Sequence, residues 1–498
     1  MSPLLILACI AAYFFCLLLI AWFTSRGAGN SGYFLGNKAS PWYAVAFGLI
    51  GDSLSGVTFI SVPGTVATAQ FSYLQVVLGY VVGYFVISEV LLPVFYRMNL
   101  TSIYTVLGRR LGPTAQRTGS AFFLLSRMLG AAARLYLAVG VIQLFVFDRW
   151  HVPFAVTVSL IILLILAYTY KGGIKTLVWT DTFQSAFLLL GVGLSVVFIS
   201  QQLDLGPAEM IRKIAASDMS KTFFWDWRAA NFFPKQFLGG AFIAICMTGL
   251  DQNMMQKNLS CRSLGEAQKN IRWFGIVVVG VNLMFLGLGV LLFQYAQAKG
   301  IAVPDQTDHL FPMLALQHLG AAAGIVFILG LTAATFSSAD SVLTTLTTSF
   351  CIDILGWERD TAMTEERKTK LRHIFHIVFA VLLLLTILVM EAVADRAVIG
   401  IILKVANYTY GPLLGLFAFA LMRGLQARKP GAEAVSAELH PVLTPLACLV
   451  APVICWFLDQ NSKAWFGGYS FGNELLVLNG LFTFAALCAF PKKPVKQA

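Results

Sequence analysis

Charged side chains are what this chain has least of. Only 12% of its 498 residues are Asp, Glu, Lys or Arg, roughly half the share carried by a water-soluble domain. That scarcity excludes a soluble globular enzyme, and so apolar a composition excludes a disordered chain. Cysteine motifs are missing too. The eight Cys are scattered, mostly through apolar runs, with no Cys-x-x-Cys spacing. They read as small core hydrophobes and not as a disulfide framework. The six His are equally dispersed; His373 and His376 stand three apart with no second cluster to complete a metal site, and read as a helix-end pair. No basic segment precedes the first apolar run, residues 4–23, and no small-residue cleavage site follows it. That run is expected to stay as a membrane helix.

What fills the chain instead is apolar: 58% of residues, 40 of them Phe, with a mean hydropathy of +0.76. A bilayer core about 30 Å thick is crossed by roughly 20 residues of helix. Thirteen stretches reach that scale: 4–23, 42–69, 72–95, 119–147, 151–170, 174–200, 236–256, 272–297, 320–352, 373–393, 396–424, 441–459 and 472–490. Lys and Arg outnumber Asp and Glu by 35 to 24, a surplus that cytoplasmic membrane loops account for without any nucleic-acid partner. Alternate connections do separate by charge. One set runs from Arg26 and Lys38 through Arg109, Arg110, Lys257, Arg262 and Lys269 to Lys492, Lys493 and Lys496, and holds 23 basic residues. The other holds nine, five of them in the single connection 201–235. The alternation predicts an N-terminus outside and a C-terminus in the cytoplasm. Arg127, Arg134 and Lys404 are left inside spans. No linker divides the chain, so residues 1–498 are expected to form one multi-pass domain, monomeric, in the lipid bilayer of the plasma (bacterial inner) membrane.

Most spans are plain Leu, Val, Ile and Phe. Two are not. The second contains Gly51-Asp52-Ser53-Leu54-Ser55-Gly56-Val57-Thr58 and then Pro63-Gly64. Counted at 1.5 Å per residue, this stretch lies near the midplane. A carboxylate there costs several kcal/mol without a partner. Gly and hydroxyl residues let the helix open and free carbonyl oxygens, which survive only where they line a cavity. A Ser/Gly packing face would explain the glycines but not the carboxylate. The ninth span carries Ala334-Thr335-Phe336-Ser337-Ser338-Ala339-Asp340-Ser341. Residues 334, 337, 338 and 341 share one helical face. Two polar half-helices at matching depth, rich in oxygen and poor in charge, suit a small hard cation such as Na+ better than a transition metal.

At these residues the chain resembles the sodium:solute symporter family, which includes sodium-coupled glucose, proline, pantothenate and sialic acid carriers. The matching strings are Tyr33-Phe34-Leu35-Gly36 with Pro41-Trp42; Ser55-Gly56-Val57-Thr58-Phe59 with Pro63-Gly64; and Leu100-Thr101-Ser102-Ile103-Tyr104 leading to Arg109-Arg110-Leu111-Gly112. Gly172-Gly173-Ile174-Lys175 with Thr180-Asp181, Asp251-Gln252 with Gln256, the Ser337–Ser341 cluster and Asn407-Tyr408-Thr409-Tyr410-Gly411-Pro412 complete the set. Together they span roughly residues 30–425.

The resemblance implies an all-α polytopic membrane protein of the leucine-transporter type. Two five-helix inverted repeats, 42–200 and 236–425, would follow one extra helix (4–23) and precede two more (441–490). It implies a main Na+ site built from the carbonyls of Gly51, Leu54 and Ala334 and the hydroxyls of Ser337 and Ser338. It further implies a second Na+ site at Asp181 with Ser337, Asp340 and Ser341. Asp340 departs from the family, which has Ser there. A second carboxylate would strengthen a cation site, or carry a proton if the cation is absent.

For the solute, the resemblance points to Ser53, Ser55, Thr58, Phe71, Gln75, Asp251, Gln252 and Asn407. Arg127 and Arg134 lie two turns apart on one face of the fourth span. Either could meet a substrate carboxylate or pair internally, and Lys404 is open in the same way. The expected function is Na+-coupled import of a small polar, anionic solute by alternating access. A proton-coupled carrier using Asp181 and Asp340, or a neutral sugar or polyol symporter, remains as the alternative. No clustered nucleophile–base or metal constellation points to an enzyme.

Overall fold

A computed structural model describes residues 3–27, 29–360, 362–393, 408–426, 437–489 and 492–494. Almost all of this is helix. α1 (Leu4–Thr24) precedes a bent pair, α2 (Trp42–Ser53) and α3 (Gly56–Ala69), which meet at 56°. Then come α4 (Ser72–Arg97), α5 (Pro113–Ile142), α6 (Phe154–Thr169) and α7 (Ile174–Gln202). A second bent pair, α8 (Phe233–Gly249) and α9 (Gln252–Leu259), turns by 64°. It is followed by α10 (Leu264–Ala298), α11 (Gly320–Ile354), α12 (Glu365–Val393), α13 (Tyr410–Gln426), α14 (Leu443–Trp465) and α15 (Leu475–Ala489). A short antiparallel ladder pairs β1 (Ala437–Leu439) with β2 (Lys492–Pro494).

Among the described residues, eight helices have the length and apolarity to cross a membrane, and each bent pair adds one more. Three shorter apolar helices, α6, α13 and α15, fall on the remaining stretches named from sequence. The outer faces carry Phe15, Leu163, Ile276 and Val389, all exposed, which suits contact with acyl chains. Asn407 and Lys404 lie outside the described residues.

The two breaks have the same chemistry. α2 stops at Leu54 (φ −102°, ψ 83°) and α3 restarts from Ser55, whose Oγ accepts from the Thr58 N–H at 3.4 Å. A Ser at this position caps the new helix. α8 ends in a π-helical turn, Ile245–Gly249, and α9 restarts from Asp251, whose Oδ1 accepts from the Met254 N–H at 3.2 Å. The ninth span was expected to be the second opened helix, and the structure corrects this. α11 runs unbroken from Gly320 through its polar stretch. Its hydroxyls bond the preceding turn: Thr335 to Leu331 O at 2.7 Å, Thr345 to Ser341 O at 2.7 Å, Thr347 to Leu343 O at 2.8 Å and Thr348 to Thr344 O at 2.8 Å. Back-bonding of this kind satisfies a buried hydroxyl without opening the ladder. The break falls in the seventh span instead, where Gly249 and Asp251 repeat the pairing of Gly51 with Asp52.

α7 packs against both α2 and α11 and joins the first half of the chain to the second. Thr182 donates to Ala44 O at 3.0 Å, and Ser185 Oγ accepts from the Gly51 N–H at 2.9 Å. α4 and α8 cross backbone to backbone. A Cβ on Gly79 would fall 2.0 Å from Phe237 O, and one on Gly240 would fall 2.1 Å from Val76 O. Small residues permit such close crossings, where packing rather than hydrophobicity holds helices together in lipid. Gly79→Ala is expected to cost about 1–3 kcal/mol through overpacking. A melting curve in detergent superimposable on the parent's would show that the two helices are not locked there.

Candidate functional site

The break in α2/α3 lies directly against α11. A Cβ on Gly51 would sit 2.8 Å from both Ser337 Oγ and Ser185 Oγ. Gly51 and Ser337 are therefore in contact, and only a glycine leaves room between these hydroxyls. The break at Leu54 ends the ladder of α2, so carbonyls of its last turn lack the N–H groups of a continuing helix. Ser338 is one residue further along α11, with its Oγ donating to Ala334 O at 3.2 Å. Ala334, Ser337 and Leu54 are buried. The structure thus sets the broken end of α2 at Gly51 against the Ser337 hydroxyl of α11 in a buried place. Oxygen donors without a fixed countercharge are the donor set a small alkali ion takes.

Beside this place stands a charge cluster that the sequence did not reveal. Lys257 was counted with the solvated basic residues of a cytoplasmic loop. Instead its side chain is 1% exposed, and its ammonium is bonded to Asp52 Oδ2, to Asp181 Oδ2 and, at 2.7 Å, to Ser341 Oγ. The reason is helical phase. α9 starts afresh at Asp251, and six residues on, Lys257 faces α2, α7 and α11 rather than solvent. The other oxygen of Asp181 accepts from Ser337 Oγ at 3.4 Å. Asp340 shares Ser341 with the ammonium: its Oδ1 accepts from Ser341 at 3.2 Å, while its Oδ2 accepts from Tyr168 at 2.7 Å and Gln184 Nε2 at 3.5 Å. The resemblance placed Asp340 with Asp181 in a second cation site; in the fold its Oδ2 accepts from α6 and α7.

A cavity of about 270 Å³ opens on the other side of the break. Its wall includes Asp52, Ser53, Ser55 and Thr58 of the bent pair, Tyr73, Tyr80 and Tyr84 of α4, Arg127 and Arg134 of α5, and Thr248, Met254 and Asn282. A second cavity of about 480 Å³ shares Tyr80, Arg134, Ile243 and Met247 with it and reaches Phe471, Gly472 and Asn473. Arg134 stands where the two meet.

The two arginines differ in what they already hold. Arg127 Nε donates to Asp251 Oδ2 at 2.6 Å, and the Tyr410 hydroxyl donates to the same oxygen at 2.9 Å. This ion pair is buried and complete. Arg134 lines both cavities and makes no ion pair or hydrogen bond among the described residues.

Several expected solute residues have other duties. Gln75 is fully buried, donates to Asn231 O at 3.0 Å and Ser72 O at 3.3 Å, and accepts from the Phe224 N–H at 3.4 Å. Phe71 gives its N–H to Lys221 O at 3.1 Å. Both clamp the long connection after α7. Gln252 accepts from Ile103 N–H at 2.9 Å and donates to Thr101 O at 3.0 Å, stitching α9 to the segment before α5. Asp251 caps α9 and neutralises Arg127. The three tyrosines of α4 were missed. Their spacing, 73, 80 and 84, puts them on one helical face, which was a readable signal.

The model of the sodium:solute symporter family matches residues 33–432. The chain belongs to that family. It is similar to the sodium/sialic acid symporter SiaT of Proteus mirabilis, 25% identical over 87% of this chain and 86% of that protein. It is also similar to the human sodium-coupled monocarboxylate transporter 1, 26% identical over 78% of this chain and 64% of that one. The structure of a Na+-coupled sialic acid symporter in a substrate-bound outward-open state superposes with a TM-score of 0.81 at 22% identity, covering 98% of this chain and 99% of that one. The fold is therefore of the leucine-transporter type. This symporter is a Na+-coupled, multi-pass secondary transporter and not an enzyme.

Proposed function

We propose that the symporter imports a small polar solute carrying one carboxylate, that Arg134 binds the carboxylate, and that Na+ binds at the oxygens of Gly51, Leu54, Ala334, Ser337 and Ser338. The observation that carries the solute class is the guanidinium of Arg134, which lines both cavities and has no ion pair or hydrogen bond among the described residues. A buried guanidinium with no protein partner is costly unless an anionic ligand supplies one, and its fork matches a carboxylate bidentately. The similarities fit, since the two relatives carry sialic acid and monocarboxylates by name. A cavity of about 270 Å³ admits nothing much larger than an acidic monosaccharide. Asn282 Oδ1 is buried at the wall with no partner, so a hydroxyl or amide donor on the solute would be matched.

Ser53, Ser55 and Thr58 line the same cavity and would contact the solute, while their helix ends hold the ion. Sharing of α2/α3 between both ligands makes each favour the same conformation, and such coupling is reciprocal. The wider cavity toward residues 471–473 is the outer entrance in the orientation that the loop charges support, with the N-terminus outside and the C-terminus in the cytoplasm of a bacterial inner membrane. The repeats would be 42–200 and 236–425, and a single chain holds every residue of the pathway, so a monomer suffices.

Proteoliposome uptake tests this directly. With Na+ outside and none inside, a panel of N-acetylneuraminate, short monocarboxylates and neutral hexoses is expected to accumulate only in its carboxylate members. Accumulation of a hexose and of no carboxylate would remove the role given to Arg134.

A further inference from the structure

Two of the residues expected to hold a second Na+, Asp181 and Ser341, already hold a cation that belongs to the chain. We infer that the Lys257 ammonium permanently fills the second cation site, so that this symporter takes up one free Na+ where the site without the lysine would take two. This rests on the main Na+ site proposed above.

Geometry carries the inference. An ammonium has three hydrogens and no lone pair, and all three of Lys257's are met by oxygens of Asp52, Asp181 and Ser341, drawn from three different helices. Its side chain is 1% exposed, and both carboxylates are fully covered. A Na+ asks for the same thing: a dry shell of oxygens from several elements. Lys257 reaches that shell without paying a free ion's loss of translational freedom, because the chain delivers it.

A second Na+ cannot join it. Two unit charges about 4 Å apart repel by an amount that, at the effective dielectric of a protein interior, corresponds to roughly a thousandfold loss of affinity. The main site is treated differently. Asp181 turns one oxygen to Lys257 and the other to Ser337. Asp52 and Asp181 bring two negative charges against one positive, which leaves the cluster net attractive to a single additional cation beside Ser337. Asp340 adjoins this arrangement: its Oδ1 accepts from the same Ser341 hydroxyl that meets the ammonium, while its Oδ2 is held by Tyr168 and Gln184.

The test needs Na+ alone. Equilibrium binding of radioactive Na+ to the purified full-length protein is expected to saturate at one ion per chain. Lys257→Gln, a polar side chain one atom shorter that removes the charge, is expected to bind about two, and Lys257→Arg one. Ser337→Ala with Ser338→Ala is expected to remove the single ion of the parent. If the parent binds two ions and Asp181→Asn loses just one of them, the lysine does not fill the site, and the inference falls while the main site stands. Lys257→Gln folding normally and still binding one ion overturns it as well, since the emptied position would then have no affinity for Na+. No binding to the parent at all removes the main site and this inference together. Should Lys257→Gln not fold, the ion count of the parent and of Asp181→Asn decides the matter.

Discussion

Replacing Ser337 and Ser338 together by Ala is expected to abolish Na+-driven uptake in a protein that still folds. These are the two hydroxyls of the proposed Na+ site, and Ser337 lies against Gly51 at the broken end of α2. Their other duties are light. Ser338 bonds only Ala334 O within its own helix, and Ser337 gives Asp181 a long contact of 3.4 Å. Neither loss strands a buried group that depends on it, because the Lys257 ammonium still holds Asp181. A hydrogen-bonding group that meets a charge contributes about 1.5–3 kcal/mol. Losing two such oxygens should raise the Na+ concentration for half-maximal uptake by about 100-fold or more. Initial rates measured against external Na+, with the melting temperature as the folding control, check this. An unchanged Na+ dependence would take both residues out of the site.

The second large effect separates two arginines that look equivalent in the sequence. Arg134→Ala is expected to leave the melting temperature close to the parent's and to raise KM for a carboxylate solute. Truncating one member of a buried, hydrogen-bonded charge pair costs about 2–4 kcal/mol, or a 30- to 900-fold change. Arg127→Ala is expected to do the reverse. It leaves Asp251 as a buried carboxylate facing only the Tyr410 hydroxyl and the cap of α9, and breaking a buried pair in this way costs about 3–5 kcal/mol of stability. Uptake kinetics and melting curves on both variants decide the assignment. A destabilised Arg134→Ala beside an intact, transport-impaired Arg127→Ala would exchange the two roles.

The opened second helix was readable because its chemistry is local. Gly51, Asp52 and the hydroxyls that follow announce an opened helix on their own, since no plain membrane span tolerates that density of polar groups at the midplane. Spacing alone placed residues 334, 337 and 338 on one face. The expected second break was misplaced for a physical reason. Buried Thr and Ser residues mark either an opened helix or a continuous one whose hydroxyls bond the previous turn, and composition does not distinguish the two. The pairing of a glycine with a carboxylate at Gly249 and Asp251 was the better signal, being the same one that marks residues 51 and 52. Gln75 and Gln252 were taken as solute contacts from the family resemblance; the fold gives their amides backbone partners at Asn231, Ile103 and Thr101.

By itself the sequence determined the membrane environment, the succession of spans, the opened second helix and the face of α11 that carries hydroxyls. These depend on hydropathy, on charge counts and on a period of 3.6 residues, all of which are properties of single helices. The tertiary structure alone decided that Arg127 is neutralised while Arg134 has no partner among the described residues, that Lys257 points inward among carboxylates, and that Asp340 accepts from Tyr168. Each of these depends on which helix stands opposite. A charge buried in low dielectric takes its meaning from its partner, and partners such as Asp251 with Arg127 or Asp52 with Lys257 lie 124 and 205 residues apart along the chain.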